Sequence, residues 1–394
     1  MKKTVRDIEV KGKRALVRCD FNVPQDEQGR ITDERRIEES LPTIRYLMEQ
    51  GAKVILMSHL GRPKGKRDPN YSLAPVAEAL GRLLGAKVAL LPDCVGPKVE
   101  STVSNMKDGE AVLLENVRFY PEEEENDEGF ARKLARLGDF YVSDAFATAH
   151  RANASTEAVA RLLKPAVAGF LMEKELSVMG KALESPERPV VALLGGAKVS
   201  DKIPLIESLM KKVGVLLIGG GMAYTFLKAK GMEVGKSLLE QEHVDRAKAM
   251  MANAGKSGVK LMLPVDVVAA AGLKEGVETK VVAADQIPAD MMGADIGPKT
   301  VEMWSEIIRQ AKTVLWNGPM GVFEYSPFAE GTRRMAAALA SSGATTIVGG
   351  GETAEAVEQM GFADKMTHVS TGGGASVEFW AGDVLPGVAV LEDK

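Results

Sequence analysis

Short, wholly apolar runs alternate with longer amphipathic stretches along this chain. The runs fall at residues 15–17, 54–57, 88–91, 111–114 and 140–142, and again at 190–194, 215–218, 265–269, 313–316 and 345–348. Each has the length of a strand and is apolar throughout instead of alternating. Strands read this way when helices cover both faces of a parallel sheet. Between them lie helix-like segments at 35–50, 74–84, 130–137, 203–211 and 354–360. This βαβ rhythm predicts an α/β protein of doubly wound parallel sheets. A further helical pattern over 170–184, closed by Ser185 and Pro186, predicts a stiff connector between two domains. Gly-Gly and Gly-Gly-Gly runs begin only at Gly195, so the two halves differ in character.

Composition adds bounds. At 394 residues, 45% hydrophobic and 26% charged, the chain is long enough for two or three domains with their own cores. A formal charge of -4 gives no support to a general nucleic-acid binder. Two cysteines, Cys19 and Cys94, make no disulfide framework or zinc ligand set. The basic N-terminus has no apolar segment behind it and no window is apolar enough to span a bilayer, so a cytoplasmic location is expected. The run PEEEENDE at 121–128 has six acidic residues in eight and is expected to be a solvated turn entering a helix N-terminus.

Candidate chemistry follows the strands. In open α/β sheets ligands bind beyond the carboxyl ends of the strands. In the first half these positions hold Asp20 and Asn22, then His59 and Arg62, then Arg118, then Arg151, with Arg36 at a nearby helix start. Arginine forks suit carboxylate and phosphate oxygens, so this rim is expected to take a small polyanion, with Asp20 and Asn22 orienting a hydroxyl. In the second half, four segments read strand, Gly-rich turn, helix: VVALLGGAKVSDKI, VLLIGGGMAYTF, TTIVGGGETAEAV and HVSTGGGASVEF. A fifth strand ends in TVLWNGPMGVFE. Glycine admits close backbone approach and helix N-termini favour phosphate, so a nucleotide is expected across this rim. Lys198 and Lys202, four apart at a presumed helix start, are expected to face one site. Glu324 and Glu352 are candidates for ribose or magnesium contacts, with helix capping the alternative for Glu352. The sequence GMEVGKS at 231–237 is one residue short of a P-loop, and no strict GxGxxG turn is present, which disfavours a nicotinamide-dependent oxidoreductase.

Taken in order, VRCDFNVP, RRIEESLPTI, SHLGRPKG, LLENVRF, DAFATAHRA, LLGGAKVSDKI, IGGGMAYTFL, DIGPKT, WNGPMGVFE, VGGGETA and HVSTGGGAS resemble the phosphoglycerate kinases over nearly the whole chain. The resemblance implies two Rossmann-like doubly wound domains joined by a helical hinge. The first, 1–170, would bind 3-phosphoglycerate, and the second, 171–379, ADP or ATP, with the tail 380–394 returning to the first. It implies a phosphoglycerate site of Asp20, Phe21, Asn22, Arg36, His59, Leu60, Gly61, Arg62, Arg118 and Arg151. It implies a nucleotide site of Gly196, Ala197, Lys198, Lys202, Gly219, Gly220, Gly293, Asn317, Pro319, Glu324, Gly350, Gly351, Glu352 and Thr353. Arg36, Lys202, Gly372, Gly373 and Gly374 would serve the transferred phosphoryl group. Magnesium (Mg2+) would arrive on the nucleotide near Glu352, with no metal held by protein alone. A monomer with small-molecule substrates, no nucleic acid and no membrane partner is expected. Three positions depart from the family pattern: Glu352 for Asp, Ala147 for Gly and Asn153 for His. A non-catalytic sensor is the remaining alternative, disfavoured by Arg36, Lys202 and the glycine turns.

Overall fold

A computed structural model describes residues 1–394. The chain divides into two compact units, Met1–Ser177 with Val384–Lys394, and Val178–Asp383. The first unit contains β1 (Arg14–Cys19), β2 (Lys53–Met57), β3 (Val88–Leu90), β4 (Ala111–Leu113), β5 (Phe140–Asp144) and β6 (Ala166–Ala168). They form one parallel sheet in the order β3-β4-β2-β1-β5-β6. Val17 of β1 is opposite Leu56 on one side and Val142 on the other. All three are fully buried, as a sheet covered on both faces requires.

The second unit contributes β7 (Val190–Leu194), β8 (Val215–Ile218), β9 (Lys260–Met262), β10 (Asp266–Ala270), β11 (Thr279–Ala283), β12 (Met292–Ile296), β13 (Thr313–Asn317), β14 (Thr345–Gly349) and β15 (His368–Val369). Six of these form a parallel sheet in the order β15-β14-β13-β7-β8-β9. Both sheets are doubly wound. Strand order reverses between β1 and β5 in the first and between β7 and β13 in the second, the points where such folds open a crevice. Trp304 and Trp316 are fully buried in the second core, and all three tryptophans belong to this unit.

The run at 265–269 departs from expectation. It becomes β10 of a separate antiparallel sheet, β11-β10-β12, and not a parallel strand. No helix separates β9, β10, β11 and β12, and without a crossover helix successive strands pair antiparallel.

The connector is the helix Phe170–Glu184, and the division between units falls inside it. Its first turns belong to the first unit, so the expected boundary at 170/171 moves to 177/178. Phe170 packs against Tyr46 with ring centroids 5.2 Å apart. The returning tail likewise starts at Val384 and not at 380. Trp380 is fully buried and its carbonyl accepts from Ser208 Oγ in the second unit. From there the tail pairs with the N-terminus, Lys3 N–H donating to Glu392 O at 2.8 Å.

Three helices start on a carboxylate borrowed from a distant strand. Asp144 Oδ1 accepts from the Leu171 and Met172 amides at 3.0 and 3.4 Å. Asp266 accepts from Lys299 and Thr300, opening the helix Pro298–Gln310. Asp295 accepts from Gly331 at 2.6 Å, opening the helix Glu330–Ser341. Each satisfies amides that have no intrahelical acceptor. A Cβ at Gly169, Gly297 or Gly331 would overlap the respective carboxylate, so glycine is required at all three.

Burial pushes the Asp144 carboxyl up to about 7, against the lowering by Thr43 and the two amides. The folded state therefore keeps a proton that the unfolded chain releases near pH 4. Asp144's stabilisation through that proton is complete below the unfolded value and is lost as pH rises through about 7. The stability advantage of wild type over Asp144→Asn should shrink across that window and level off above it. Unfolding followed by circular dichroism at several pH values checks this; a constant difference contradicts it.

Candidate functional site

At the rim of the first sheet, four loops leave the carboxyl ends of adjacent parallel strands. The loop after β1 carries Asp20, Phe21 and Asn22. Asp20 is buried; its Oδ2 pairs with Arg36 Nη1 and its Oδ1 accepts from the Asn22 amide at 3.2 Å. Asn22 Oδ1 accepts from the Gly61 amide at 2.8 Å, tying this loop to the one after β2. Asp20 and Asn22, expected to orient a hydroxyl, thus already hold neighbouring parts of the rim. Phe21 and Leu60 are core side chains, so only their backbone faces the rim. Arg62 is exposed on the turn after β2.

His59 is the focus. It is 5% exposed, and burial, followed by the fields of Arg18, Arg118, Arg36 and Arg151, holds its pKa well below the usual imidazole range. Four guanidinium groups, from β1, the helix Arg35–Glu49, the loop after β4 and the loop after β5, thus act on one ring through their charge, Arg18 alone in direct contact. Arg118 is itself buried. Its Nη1 donates to Gly61 O at 3.0 Å, while Nε has no hydrogen-bond partner and lies 3.5 Å from Glu124. Arg151 is exposed and donates through Nε to His150 Nε2 at 3.2 Å.

The composition of the sequence hid what lies behind this rim. Arg18 is 1% exposed, with Nε on Ser155 Oγ at 2.8 Å and Nη2 on His59 Nδ1 at 3.1 Å. Ser155 Oγ donates to Glu123 Oε1 at 2.5 Å. Glu123 is fully buried, and burial raises its pKa against the opposing Arg18 field and Ser155 hydrogen bonds. The acidic run is therefore not merely a solvated turn. Asp127 does cap the helix Glu128–Ala135, as expected, but Glu123 turns inward. The signal was available: Arg18 sits inside an apolar strand, where a charge needs a buried partner.

In the second unit the turns after β7, β8, β13, β14 and β15 meet at one sheet edge. They interlock through the backbone. The Gly195 amide donates to Asn317 O at 2.9 Å, Gly196 to Pro319 O at 3.0 Å, and Gly220 to Met320 O at 3.1 Å. A Cβ at Gly220 would strike the Gly196 backbone, and one at Gly219 the Met320 sulfur. These glycines serve turn-on-turn packing. By contrast, space is open around a Cβ at Gly351 or Gly373, on the outer side of the turns. Gly350 has φ 93°, and its amide donates to Ser376 Oγ at 3.1 Å. Gly293 packs beneath the Tyr224 ring in the antiparallel sheet.

Lys202 is half-buried, and its Nζ donates to Asn317 Oδ1. Asn317 Nδ2 in turn donates to Gly349 O at 2.7 Å, and Thr353 Oγ1 accepts from the Gly318 amide at 2.6 Å. Burial lowers the Lys202 pKa, while Glu352 and Asp201 oppose that. Lys198 and Ala197 are exposed on the turn, and the α-helix begins only at Ile203, so helical i,i+4 spacing does not relate the two lysines. Glu352 lies in the first turn of the helix Gly351–Gln359, exposed and making no capping bond, so the capping alternative fails. Glu324 is exposed. Of the three C-terminal glycines, Gly372 is buried and its amide donates to Ser370 Oγ at 3.0 Å, leaving Gly373 and Gly374 nearer the surface.

One group of three residues could share an ion, Glu240, Glu242 and His243; Glu240 itself accepts from the Ser200 amide at 3.0 Å, just beyond the turn after β7. A lone carboxylate at Glu352 fits a magnesium ion carried on phosphates and not a protein cage. No helix is long and apolar enough to cross a membrane.

The family model for phosphoglycerate kinase matches residues 5–383. The chain is 58% identical to the phosphoglycerate kinase of Pelotomaculum thermopropionicum over the full length of both. It is 59% identical to that of Chloroflexus aggregans, covering all of this chain and 99% of the other. The solved phosphoglycerate kinase of Coxiella burnetii superimposes with a TM-score of 0.90 at 44% identity, covering 99% of this chain and 98% of the other. With this agreement in sequence and fold, the chain belongs to the phosphoglycerate kinase family.

Proposed function

We propose that the two rims divide one reaction between them, reversible phosphoryl transfer between 1,3-bisphosphoglycerate and ADP. The arginine rim takes the phosphoglycerate and the glycine-turn rim the nucleotide. The observation that carries this reading is the bonding of Arg36 to Asp20 and of Asn22 and Arg118 to Gly61, which gathers the loops after β1, β2 and β4 and their arginines at one rim. A ligand with a carboxylate at one end and a phosphate at the other supplies acceptors for such a set.

The attacking oxygen is already ionised in either direction, so no general base is needed. The residues have to align the reacting groups in line and neutralise developing charge. Arg118 and Arg151 hold the anionic substrate. Lys202, with its pKa lowered by burial but opposed by Glu352, places a positive charge beside the turns that cradle the phosphates. The amides at Gly373 and Gly374, at the start of the helix Gly374–Ala381, add donors for equatorial oxygens. Glu352 is the candidate carboxylate that would face a magnesium ion brought in on the nucleotide, which would supply charge neutralisation at the phosphates. The helix Phe170–Glu184 runs from one unit into the other, and we read it as the hinge for bringing the two ligands together with water excluded. Two buried free thiols suit a reducing cytoplasm, and we take the working form to be a monomer.

A coupled assay consuming ATP and 3-phosphoglycerate tests the activity. Arg118→Ala tests the division of labour. Losing a charged hydrogen bond to substrate should raise the 3-phosphoglycerate KM by about 10- to 100-fold, with the ATP KM unchanged. An effect on ATP alone would reverse the assignment of the rims.

A further inference from the structure

We infer that Arg18 is a positioning residue: it fixes His59 as the neutral tautomer with its proton on Nε2, and Ser155 and Glu123 hold Arg18 to that task. The inference rests on reading this rim as the phosphoglycerate site. At 1% exposure the Arg18 guanidinium has no route to a ligand. Its Nη2 lies 3.1 Å from His59 Nδ1. A guanidinium has donors and no acceptor, so Nδ1 must accept. A neutral imidazole that accepts at Nδ1 carries its hydrogen on Nε2.

The rest of Arg18 is pinned. Nε donates to Ser155 Oγ at 2.8 Å, and Nη1 donates to the Cys19 carbonyl. Ser155 is held from two sides by one carboxylate, Oγ–H donating to Glu123 Oε1 at 2.5 Å and N–H to Oε2 at 2.9 Å. Ser155 and Glu123 are both fully buried. The chain Glu123, Ser155, Arg18, His59 thus runs from the core to the rim through a hydrogen bond at each step. The charged groups facing His59 are Arg18, Arg118, Arg36 and Arg151, and an imidazolium among them would be repelled. Held neutral, His59 offers an anion a hydrogen bond without adding to the repulsion among the arginines. Its protonation then stays the same across neutral pH, and substrate binding does not follow a histidine titration.

Histidine-selective 15N–1H correlation spectra of the ligand-free full chain test this, the four histidines being assigned by single substitutions. His59 is expected as the Nε2–H tautomer, unchanged between about pH 6 and 8. Ser155→Ala should mix the tautomers and raise the 3-phosphoglycerate KM about three- to tenfold, with kcat and the ATP KM within about twofold. If Ser155→Ala fails to fold, Glu123→Gln reads the same signature in milder form. An Nδ1–H or imidazolium signature in wild type overturns the inference, as does an unchanged His59 spectrum in both variants. If the spectrum shifts and only the ATP KM rises, the assignment of this rim to phosphoglycerate fails while the Arg18–His59 coupling stands.

Discussion

Arg36→Ala should lower kcat by about 10²–10³-fold, the loss seen when one preorganised donor to a developing charge is removed. Nucleotide affinity should barely change, because Arg36 belongs to the first unit and the Gly-rich turns to the second. The side chain is 40% exposed and pairs with the buried carboxylate of Asp20, so it is anchored at one side and open at the other. That arrangement suits a group that meets the phosphoryl group during transfer. Arg36→Lys keeps the charge but loses the planar fork, and should recover only part of the rate. Steady-state kinetics with both substrates varied decide the matter; near-normal turnover in Arg36→Ala would remove this residue from the reaction.

The largest expected effect on stability is at Glu123. Replacing it with alanine leaves Arg18 buried without its counter-charge, which costs about 3–5 kcal/mol. Glu123→Gln keeps an acceptor for Ser155 and should cost about 1–3 kcal/mol. The protein offers its own internal control. All three tryptophans lie in the second unit, so their fluorescence reports on that unit, whereas circular dichroism reports on both. In chemical denaturation, Glu123→Ala should therefore advance part of the circular dichroism transition while the tryptophan transition holds its midpoint. A common shift of both signals would mean that the two units unfold as one. No shift at all would mean that the Arg18–Ser155–Glu123 contacts contribute nothing to stability.

The parallel sheets were legible because their strands are apolar from end to end and helices separate them. Nearly every such run became a strand within a residue or two of its expected bounds. The helix Phe170–Glu184 was readable residue for residue because its pattern is continuous and prolines follow it. The antiparallel sheet was not, since β11 and β12 are partly exposed and carry no continuous apolar run. At the site, residues just beyond strand ends were visible from topology alone. Arg18 gave a local signal, a charge inside an apolar strand, but its partner Glu123 lies 105 positions away with no local pattern, and what sets it apart from the other acidic residues around it is burial. The glycines misled in a subtler way. Their clustering at strand ends pointed to phosphate, yet Gly219 and Gly220 first answer a need for turns to pack on one another. Linear spacing also failed for Lys198 and Lys202, where the helix that would align them had not yet begun.

The borrowed carboxylates at Asp144, Asp266 and Asp295 bear on how sequences of this fold can drift. In each case an aspartate and a glycine far away in the chain occupy one volume. Alanine cannot enter at Gly169, Gly297 or Gly331 while the carboxylate is there, and the carboxylate cannot leave without stranding the amides of a helix start. Each pair can therefore change only in a set order, through an intermediate worse than either end. Such coupling makes the two positions behave as a single inherited character, frozen by geometry even though none of the six residues is assigned a part in the chemistry.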